Sequence, residues 1–297
     1  MKPAPFLYFR PDSVEEAVAL LGEHGDEAKV LAGGQSLVPA MNFRLAQPAA
    51  LVDINRVTEL AFIEPSAAGG LRVGATTRQR AVELSPLVAE RAPLVAETMP
   101  WIAHVQIRNR GTFGGSVAHA DPAAELPALM LALKARMRVR GPAGERWIEA
   151  ADFFTGLLST ALEPDELLVE IELPPPPARS GHAFVELSRR RGDYAMVGVA
   201  AVVELSDKGL IAGARMTLLG VGEGPVEAAQ AVSTLIGQAP GAKLFEAAAA
   251  AAAGADLGPD GPHGDVHASA DYRRHLTRVL TTRALARACE RAQGRAG

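Results

Sequence analysis

The segment that decides the fold reads Arg110-Gly-Thr-Phe-Gly-Gly-Ser-Val-Ala-His-Ala-Asp-Pro-Ala-Ala-Glu125. Its glycine pair, Gly114 and Gly115, is followed by Ser116 and by a tract that is rich in polar residues. Two consecutive glycines let the backbone approach a ligand closely, because no Cβ atom stands in the way. Consecutive N–H groups in such a loop can also form a concavity that binds an anion.

A second glycine pair lies about 80 residues earlier, in Leu31-Ala-Gly-Gly-Gln-Ser-Leu37. Residues 28–32, which are apolar except for Lys29, predict a short buried strand, and residues 36–44 predict a helix. This order places the loop at a helix N-terminus, where an anion is favoured. Taken alone, the loop fits a plain strand-to-helix turn equally well. Two such loops predict one large ligand with a doubly charged centre, such as the pyrophosphate of a dinucleotide.

Composition limits the classes of protein to which the chain can belong. Its 297 residues exceed one ordinary core and predict two domains. A formal net charge of −4 and a pI of about 6.0 argue against a nucleic-acid partner. The single cysteine, Cys289, excludes an internal disulfide and a self-contained iron–sulfur cluster, and we expect it to be buried on a C-terminal helix. The sequence shows no apolar signal core and no apolar run of membrane-spanning length, so we expect a cytoplasmic protein.

The pattern along the chain predicts an α+β protein in two parts. Up to residue 173, short strands alternate with helices. Two of these helices are predicted over 86–99, where Pro93 favours a break, and over 123–133. The run Pro174-Pro-Pro-Pro177 favours a stiff connector and marks the boundary. A second sheet and three helices are then predicted, the strands over 184–187, 195–205 and 211–220 and the helices over 226–236, 244–253 and 272–293.

Among three further side chains, Asp121 has one interpretation from the sequence, whereas Glu125 and Tyr194 have two each. Asp121 before Pro122 is a suitable helix N-cap. Glu125 would then lie in the first helical turn, where the dipole favours a carboxylate, but it fits a hydrogen bond to a ribose hydroxyl equally well. Tyr194 is either a strand-edge residue that packs on a core or an aromatic ring laid on a flat cofactor.

Other familiar motifs are incomplete. Gly220-Val-Gly-Glu-Gly224 follows a predicted strand but fails the dinucleotide-binding spacing, because residue 225 is proline. His263 and His267 lie in a loop rich in glycine and proline without a third ligand cluster nearby, so we expect an exposed loop there. The sequence contains neither a hydrolase nucleophile elbow nor a Walker A motif.

In combination, these segments resemble the FAD-binding medium subunit of the molybdenum hydroxylases, the family of aerobic carbon monoxide dehydrogenase and of xanthine dehydrogenase-type enzymes. The resemblance covers almost the full length of the chain. The segments that carry it are Pro3-Ala-Pro-Phe-Leu-Tyr8, Ala32-Gly-Gly-Gln-Ser-Leu37, Arg108-Asn-Arg-Gly-Thr-Phe-Gly-Gly-Ser116, residues 119–125, Arg191-Gly-Asp-Tyr-Ala195 and Ser269-Ala-Asp-Tyr-Arg273. Phe113 is a departure, since it is bulkier than the isoleucine often found there.

The resemblance implies the fold and the domain division. An FAD-binding domain of the vanillyl-alcohol-oxidase type would span residues 1–176, with two α/β subdomains at about 1–56 and 57–176. A smaller C-terminal domain, a sheet with helices, would span 177–297. FAD would lie between the two subdomains.

The resemblance also implies the site. Backbone N–H groups of 32–36 and 112–116 would hold the pyrophosphate, and the hydroxyls of Ser36 and Thr112 would add bonds. Asp121 or Glu125 would face the ribityl or ribose region, with Ile102 near the flavin ring and Tyr194 over one ring face. No catalytic acid, base or nucleophile and no metal ligand is expected. The expected FAD-binding residues are Leu31, Ala32, Gly33, Gly34, Gln35, Ser36, Leu37, Ile102, Gly111, Thr112, Gly114, Gly115, Ser116, Asp121, Glu125, Leu168 and Tyr194.

The implied role is electron transfer within a hetero-oligomer. A large partner subunit would carry the molybdopterin site, and a small one two [2Fe-2S] clusters, which the single cysteine of this chain cannot hold. The family implies a heterotrimer, often doubled. Two alternatives stay open: a stand-alone FAD-dependent oxidase, which the low aromatic content of 5% disfavours, and an assembly subunit without flavin, which the intact glycine loops disfavour.

Overall fold

The computed structural model describes residues 2–259 and 261–294. Its strands are β1 Leu7–Phe9, β2 Ala28–Leu31, β3 Ala50–Asp53, β4 Ile63–Pro65, β5 Leu71–Gly74, β6 Arg136–Gly141, β7 Gly144–Glu149, β8 Phe154–Gly156, β9 Ser159–Thr160, β10 Leu167–Leu173, β11 Ser180–Ser188, β12 Ala195–Leu205, β13 Ile211–Leu219 and β14 Val226–Glu227. Its α-helices are α1 Val14–His24, α2 Leu37–Asn42, α3 Gln79–Leu84, α4 Pro86–Arg91, α5 Pro93–Thr98, α6 Val105–Arg108, α7 Phe113–His119, α8 Glu125–Leu133, α9 Ala150–Phe153, α10 Ala229–Leu235, α11 Ala242–Ala251 and α12 Ala270–Ala292.

The first sheet is small and parallel, with the strand order β1-β3-β2. Helix α1 begins after Ser13, whose hydroxyl accepts a hydrogen bond from the N–H of Glu16 at 3.1 Å. Its apolar residues Val14, Ala17 and Leu21 are buried against this sheet. Because β2 ends at Leu31 and α2 begins at Leu37, the first glycine loop connects the end of a strand to the start of a helix.

The second sheet is antiparallel, with the strand order β4-β5-β10-β6-β7. Helices α3 to α8 supply most of the core beside it, which includes the fully buried Phe113 and Leu126. The bulk of Phe113 is therefore accommodated inside the core rather than at the loop surface. The glycine pair of the second loop lies in α7, and α7 is followed along the chain by α8.

The third sheet is an antiparallel meander, β11-β12-β13-β14. Successive residues of its strands point to opposite faces. Ala183 and Val185 lie in a core formed with α10, α11 and α12, whereas Phe184 lies in the core of the second sheet and its helices. The third sheet is thus buried on both faces, and one of these faces is its boundary with the preceding part of the chain.

Several predicted elements have different limits in the structure. Pro93 does break the helix predicted over 86–99, which forms α4 and α5. The helix predicted over 226–236 is wrong at its start, because Val226 and Glu227 pair with β13 as β14 before α10 begins. Cys289 is buried on α12 as expected, and His263 and His267 are exposed. Within the described residues, no helix is both long enough and apolar enough to cross a membrane.

Candidate functional site

The two glycine loops are in direct contact. A Cβ atom added to Gly33 would lie 2.7 Å from the carbonyl oxygen of Arg110 and 2.7 Å from the Cα atom of Gly111. From the other side, a Cβ on Gly115 would lie 3.5 Å from the Cβ of Ala32. The structure thus brings together two segments that are about 80 residues apart, and it does so at positions where only glycine fits.

The first loop has unused backbone donors. Among the hydrogen bonds of the described residues, none uses the N–H groups of Gly33, Gly34, Gln35 or Ser36. Gly34 has a φ of +73°, a left-handed conformation that favours glycine and turns the chain into α2. Because these four residues are half-buried and their N–H groups follow one another in a turn, a ligand with anionic oxygens suits this loop.

The second loop differs from the expectation. The N–H groups of Phe113, Gly114, Gly115 and Ser116 donate to Thr77 O, Ala75 O, Thr112 Oγ1 and Thr112 O, respectively. These donors are used internally, because the glycine pair forms the first turn of α7 and packs against the backbone of Ala75. Backbone donation to a pyrophosphate from 113–116 is therefore not available in this structure. The hydroxyl protons of Thr112 and Ser116 remain as possible donors.

Two side chains that the sequence analysis missed link the two loops by hydrogen bonds. Asn55 Nδ2 donates to Ala32 O at 2.8 Å, and Arg78 donates to Asn55 Oδ1 at 2.6 Å and to Arg110 O at 2.5 Å. Burial and the nearby charge of Arg110 lower the pKa of Arg78. Arg78 thus places a partly desolvated positive charge beside the two loops, where it suits an anion.

Asp121 does not cap a helix. Its carboxylate accepts the N–H of Ala123 at 2.9 Å, and its carbonyl accepts the N–H of Ala124, so residues 121–124 form a turn. Helix α8 begins only at Glu125, and Ala124 at its N-cap provides no side-chain cap. The N-cap prediction is wrong, because the side chain of Asp121 closes this turn before the helix begins. Glu125 does lie in the first turn of α8, as expected.

An acidic cluster lies at the far end of α7. Glu125 and Glu186 are 7% and 8% exposed, and both oxygens of Glu186 lack a hydrogen-bond partner among the described residues. Burial, with the charge of Asp121 as a smaller cause, raises the pKa of Glu125 to about 7. Burial and the charge of Glu125 raise the pKa of Glu186 to about 8.

The turn that carries Tyr194 packs beside this cluster. The Tyr194 side chain is 65% exposed, and partial burial together with the charges of Asp121 and Glu125 raises its pKa. Tyr194 is therefore not packed into a core. A Cβ on Gly192 would lie 3.0 Å from the carbonyl oxygen of Ala103, so this turn contacts the segment next to Ile102.

The remaining expected site residues fall into two groups. Ile102 and Leu168 are buried in the core of the second sheet, with 6% and 4% of their surfaces exposed. Leu31, Ser36 and Leu37 are half-buried at the first loop. The structure thus brings the two loops together at one place and the residues Asp121, Glu125 and Tyr194 together at another.

Helix α7 joins these two places. Its seven residues span about 10 Å at 1.5 Å per residue. A ligand that reaches from the free N–H groups of the first loop to the acidic cluster must therefore be extended, with an anionic centre and a hydrogen-bonding end. FAD has these properties.

Comparison with known families assigns the class of the protein. The FAD binding domain in molybdopterin dehydrogenase matches residues 4–176, and the CO dehydrogenase flavoprotein C-terminal domain matches residues 182–288. The chain belongs to the FAD-binding medium subunits of the molybdenum hydroxylases, which are subunits of oxidoreductases.

Individual relatives agree over nearly their full length. The alpha subunit of the 6-hydroxypseudooxynicotine dehydrogenase complex of Paenarthrobacter nicotinovorans is 45% identical, over 99% of this chain and 97% of its own. The carbon monoxide dehydrogenase of Hydrogenophaga pseudoflava has a solved chain with 40% identity and a TM-score of 0.93, covering 100% of both chains. A chain of quinoline 2-oxidoreductase from Pseudomonas putida 86 has 38% identity and a TM-score of 0.90, covering 99% of both.

Proposed function

We propose that this chain is the electron-transfer subunit of a molybdenum hydroxylase complex. It accepts electrons from iron–sulfur clusters on a small partner subunit, which receive them from a molybdenum site on a large one, and passes them to an external acceptor. The observation that carries the proposal is the contact between the two glycine loops, beside four N–H groups that have no acceptor among the residues the structure describes.

In this proposal the chain's residues bind and orient FAD, which supplies the redox chemistry. The N–H groups of 33–36 bind the pyrophosphate, assisted by the hydroxyls of Thr112 and Ser116 and by the charge of Arg78. Asp121 and Glu125 face the ribityl or ribose region. Ile102 and Leu168 provide apolar walls, and Tyr194 covers one face of the flavin ring and limits access of water and acceptors.

The domain division is part of the same proposal. The FAD-binding domain spans 1–176, with subdomains of the vanillyl-alcohol-oxidase type at about 1–56 and 57–176, and the C-terminal domain spans 177–297. The three larger sheets support this division, since their strands lie within residues 7–53, 63–173 and 180–227, respectively. We also propose that the chain works in the cytoplasm as part of a heterotrimer or of a dimer of heterotrimers.

The experiment that tests the role compares the complex with and without this chain. Substrate is added anaerobically, and reduction of the clusters and of an artificial acceptor is followed by absorbance. We expect cluster reduction to persist without the chain, whereas the flavin-dependent transfer to the acceptor is lost. Substrate-dependent flavin reduction in the isolated chain would instead favour a stand-alone oxidase, and unchanged acceptor reduction without the chain would favour an assembly role.

A further inference from the structure

A hydrogen bond connects the edge strand of the first sheet to its central strand. Strand β1 lies at the edge of this sheet, and β3 lies between β1 and β2. The hydroxyl of Tyr8 in β1 donates to Asp53 Oδ2 at the end of β3, with a distance of 2.5 Å between the two oxygens. Because Tyr8 is 51% exposed, packing alone does not fix its side chain. The hydroxyl is therefore the contact through which Tyr8 can act on the interior.

Asp53 in turn contacts Asn55. Its Oδ1 atom accepts hydrogen bonds from the backbone N–H of Asn55 at 3.0 Å and from Asn55 Nδ2 at 2.5 Å. Asp53 is buried, and although burial acts to raise it, hydrogen bonds from Tyr8 and Asn55 lower the pKa of its carboxyl. An ionised carboxylate only accepts hydrogen bonds. Asp53 therefore requires that the NH2 group of the Asn55 amide, and not the amide oxygen, lies on its side.

The orientation of the Asn55 amide decides whether the two glycine loops are linked. The NH2 group that lies beside Asp53 also donates to Ala32 O in the first loop at 2.8 Å. The amide oxygen accepts from Arg78 at 2.6 Å, and Arg78 also donates to Arg110 O in the second loop at 2.5 Å. A reversed amide would place its oxygen against two acceptors and its NH2 group against the guanidinium donors. The reversal would therefore break the links to both loops.

We propose that Tyr8 and Asp53 are positioning residues for the anionic part of the cofactor: through Asn55 they keep the first glycine loop and Arg78 in the arrangement that binds the pyrophosphate of FAD. The N–H groups of residues 33–36, which have no acceptor in the described part of the chain, begin directly after Ala32. A fixed Ala32 carbonyl therefore fixes this row of donors before the ligand arrives. The role rests on the proposed FAD site, whereas the hydrogen bonds themselves exist without a cofactor.

The first test needs no cofactor and observes the Asn55 amide directly. The chain contains three asparagines, Asn42, Asn55 and Asn109, so the full chain labelled with nitrogen-15 asparagine gives one side-chain NH2 group for each in its NMR spectrum. Tyr8→Phe removes only the hydroxyl. It should shift or broaden the Asn55 signals, which Asn55→Ala identifies, and leave the signals of the other two asparagines in place. Asn55 signals that are the same in Tyr8→Phe and in the wild type would overturn the positioning role.

The second test measures the FAD affinity of the chain in its complex by calorimetric titration. Tyr8→Phe should weaken FAD binding by about 3- to 10-fold, because the loss of its hydrogen bond frees the Asn55 amide. The matched control is Tyr272→Phe, at an exposed tyrosine of α12, which should bind FAD like the wild type. Equal affinities in Tyr8→Phe and Tyr272→Phe would contradict the proposal.

A double substitution separates positioning from general support of the sheet. If Tyr8 acts through Asn55, Tyr8→Phe should cause no further loss of affinity in a chain that already carries Asn55→Ala. Two losses that multiply would show that Tyr8 acts independently of Asn55, and the proposal would be wrong. If the wild-type complex binds no FAD, the proposed function fails and the cofactor role fails with it, whereas the asparagine spectra still report on the hydrogen bonds.

Discussion

Gly33 stands so close to Gly111 that a single added carbon would lie 2.7 Å from its Cα atom. The three atoms nearest to that carbon are all backbone atoms, which cannot rotate away. We therefore expect Gly33→Ala to separate the two loops, with a cost of about 1–3 kcal/mol for overpacking. FAD affinity, measured by fluorescence titration, should fall by about 5- to 150-fold, because the loops that bind the cofactor are forced apart.

A matched control for this substitution is Gly224→Ala, because a Cβ at Gly224 would meet nothing within 4 Å. Its FAD affinity should equal that of the wild type. Equal affinities in Gly33→Ala and Gly224→Ala would contradict the claim that contact between the loops forms the site.

Asn55 connects the loops through its amide. It donates to Ala32 O and accepts from Arg78, so Asn55→Ala removes both links and leaves Arg78 without that acceptor. Loss of such hydrogen bonds costs about 1–3 kcal/mol, and we expect a corresponding loss of FAD affinity. Asn109→Ala, at an exposed asparagine, is the control. Calorimetric titration with FAD that finds the two variants alike would show that this link is dispensable.

Glu97 of α5 holds the C-terminal part of the chain to the part before it. Its carboxylate lies 2.5 Å from Arg291 of α12 and 3.5 Å from His182 of β11, with Arg287 at 3.6 Å. Glu97→Gln should lower the free energy of unfolding by about 1–3 kcal/mol, since it leaves partly buried cations without a charge partner. Urea denaturation compares it with Glu90→Gln, whose side chain is exposed. A loss no larger than that of the control would refute the role of Glu97.

Asp265 and Arg273 give a prediction at acid pH. Although burial acts to raise it, hydrogen bonds from the N–H groups of Ala268 and His267 and from Arg273 lower the pKa of Asp265 to about 2. A lowered pKa stabilises the fold above the unfolded value of 3.8, and this stabilisation is lost as the pH falls towards 2. Solvent screening reduces the effect, because the carboxylate is half-exposed.

Asp265→Asn should therefore destabilise the protein at pH 6 but not at pH 2, as measured by denaturant unfolding at the two pH values. Arg273 also donates to the carbonyls of Met196 and Gly220, near Tyr194 and the 121–124 turn, so the pair holds that region in place. A loss of stability that is the same at both pH values would contradict the assignment to this carboxylate.

Substitutions of Tyr194 test whether its ring covers one face of the flavin. Its ring is largely exposed, so Tyr194→Ala should leave the unfolding free energy within about 0.5 kcal/mol of the wild type. In the loaded complex, the same change should alter the flavin absorption bands and the rate of reaction with an external acceptor, while Tyr194→Phe keeps both. Unaltered spectra and rates in Tyr194→Ala would remove Tyr194 from the site.

The sequence was sufficient to find the glycine loops, because glycine pairs next to a strand and a helix are a local signal. It was insufficient for the donors, since the N–H groups of Phe113 and Gly114 are used by the carbonyls of Thr77 and Ala75, which lie far away in sequence. Glu186 carried one weak signal, a charged residue within an apolar strand. Its significance depends on which face of β11 packs against α5, and no local pattern contains that information.

The most direct measurement is the absorption spectrum of the chain co-expressed and purified with its genomic neighbours, with the released cofactor identified by mass. The account predicts flavin bands from FAD, together with iron–sulfur absorbance that appears only when a partner subunit copurifies. An intact complex that contains no flavin would contradict the account.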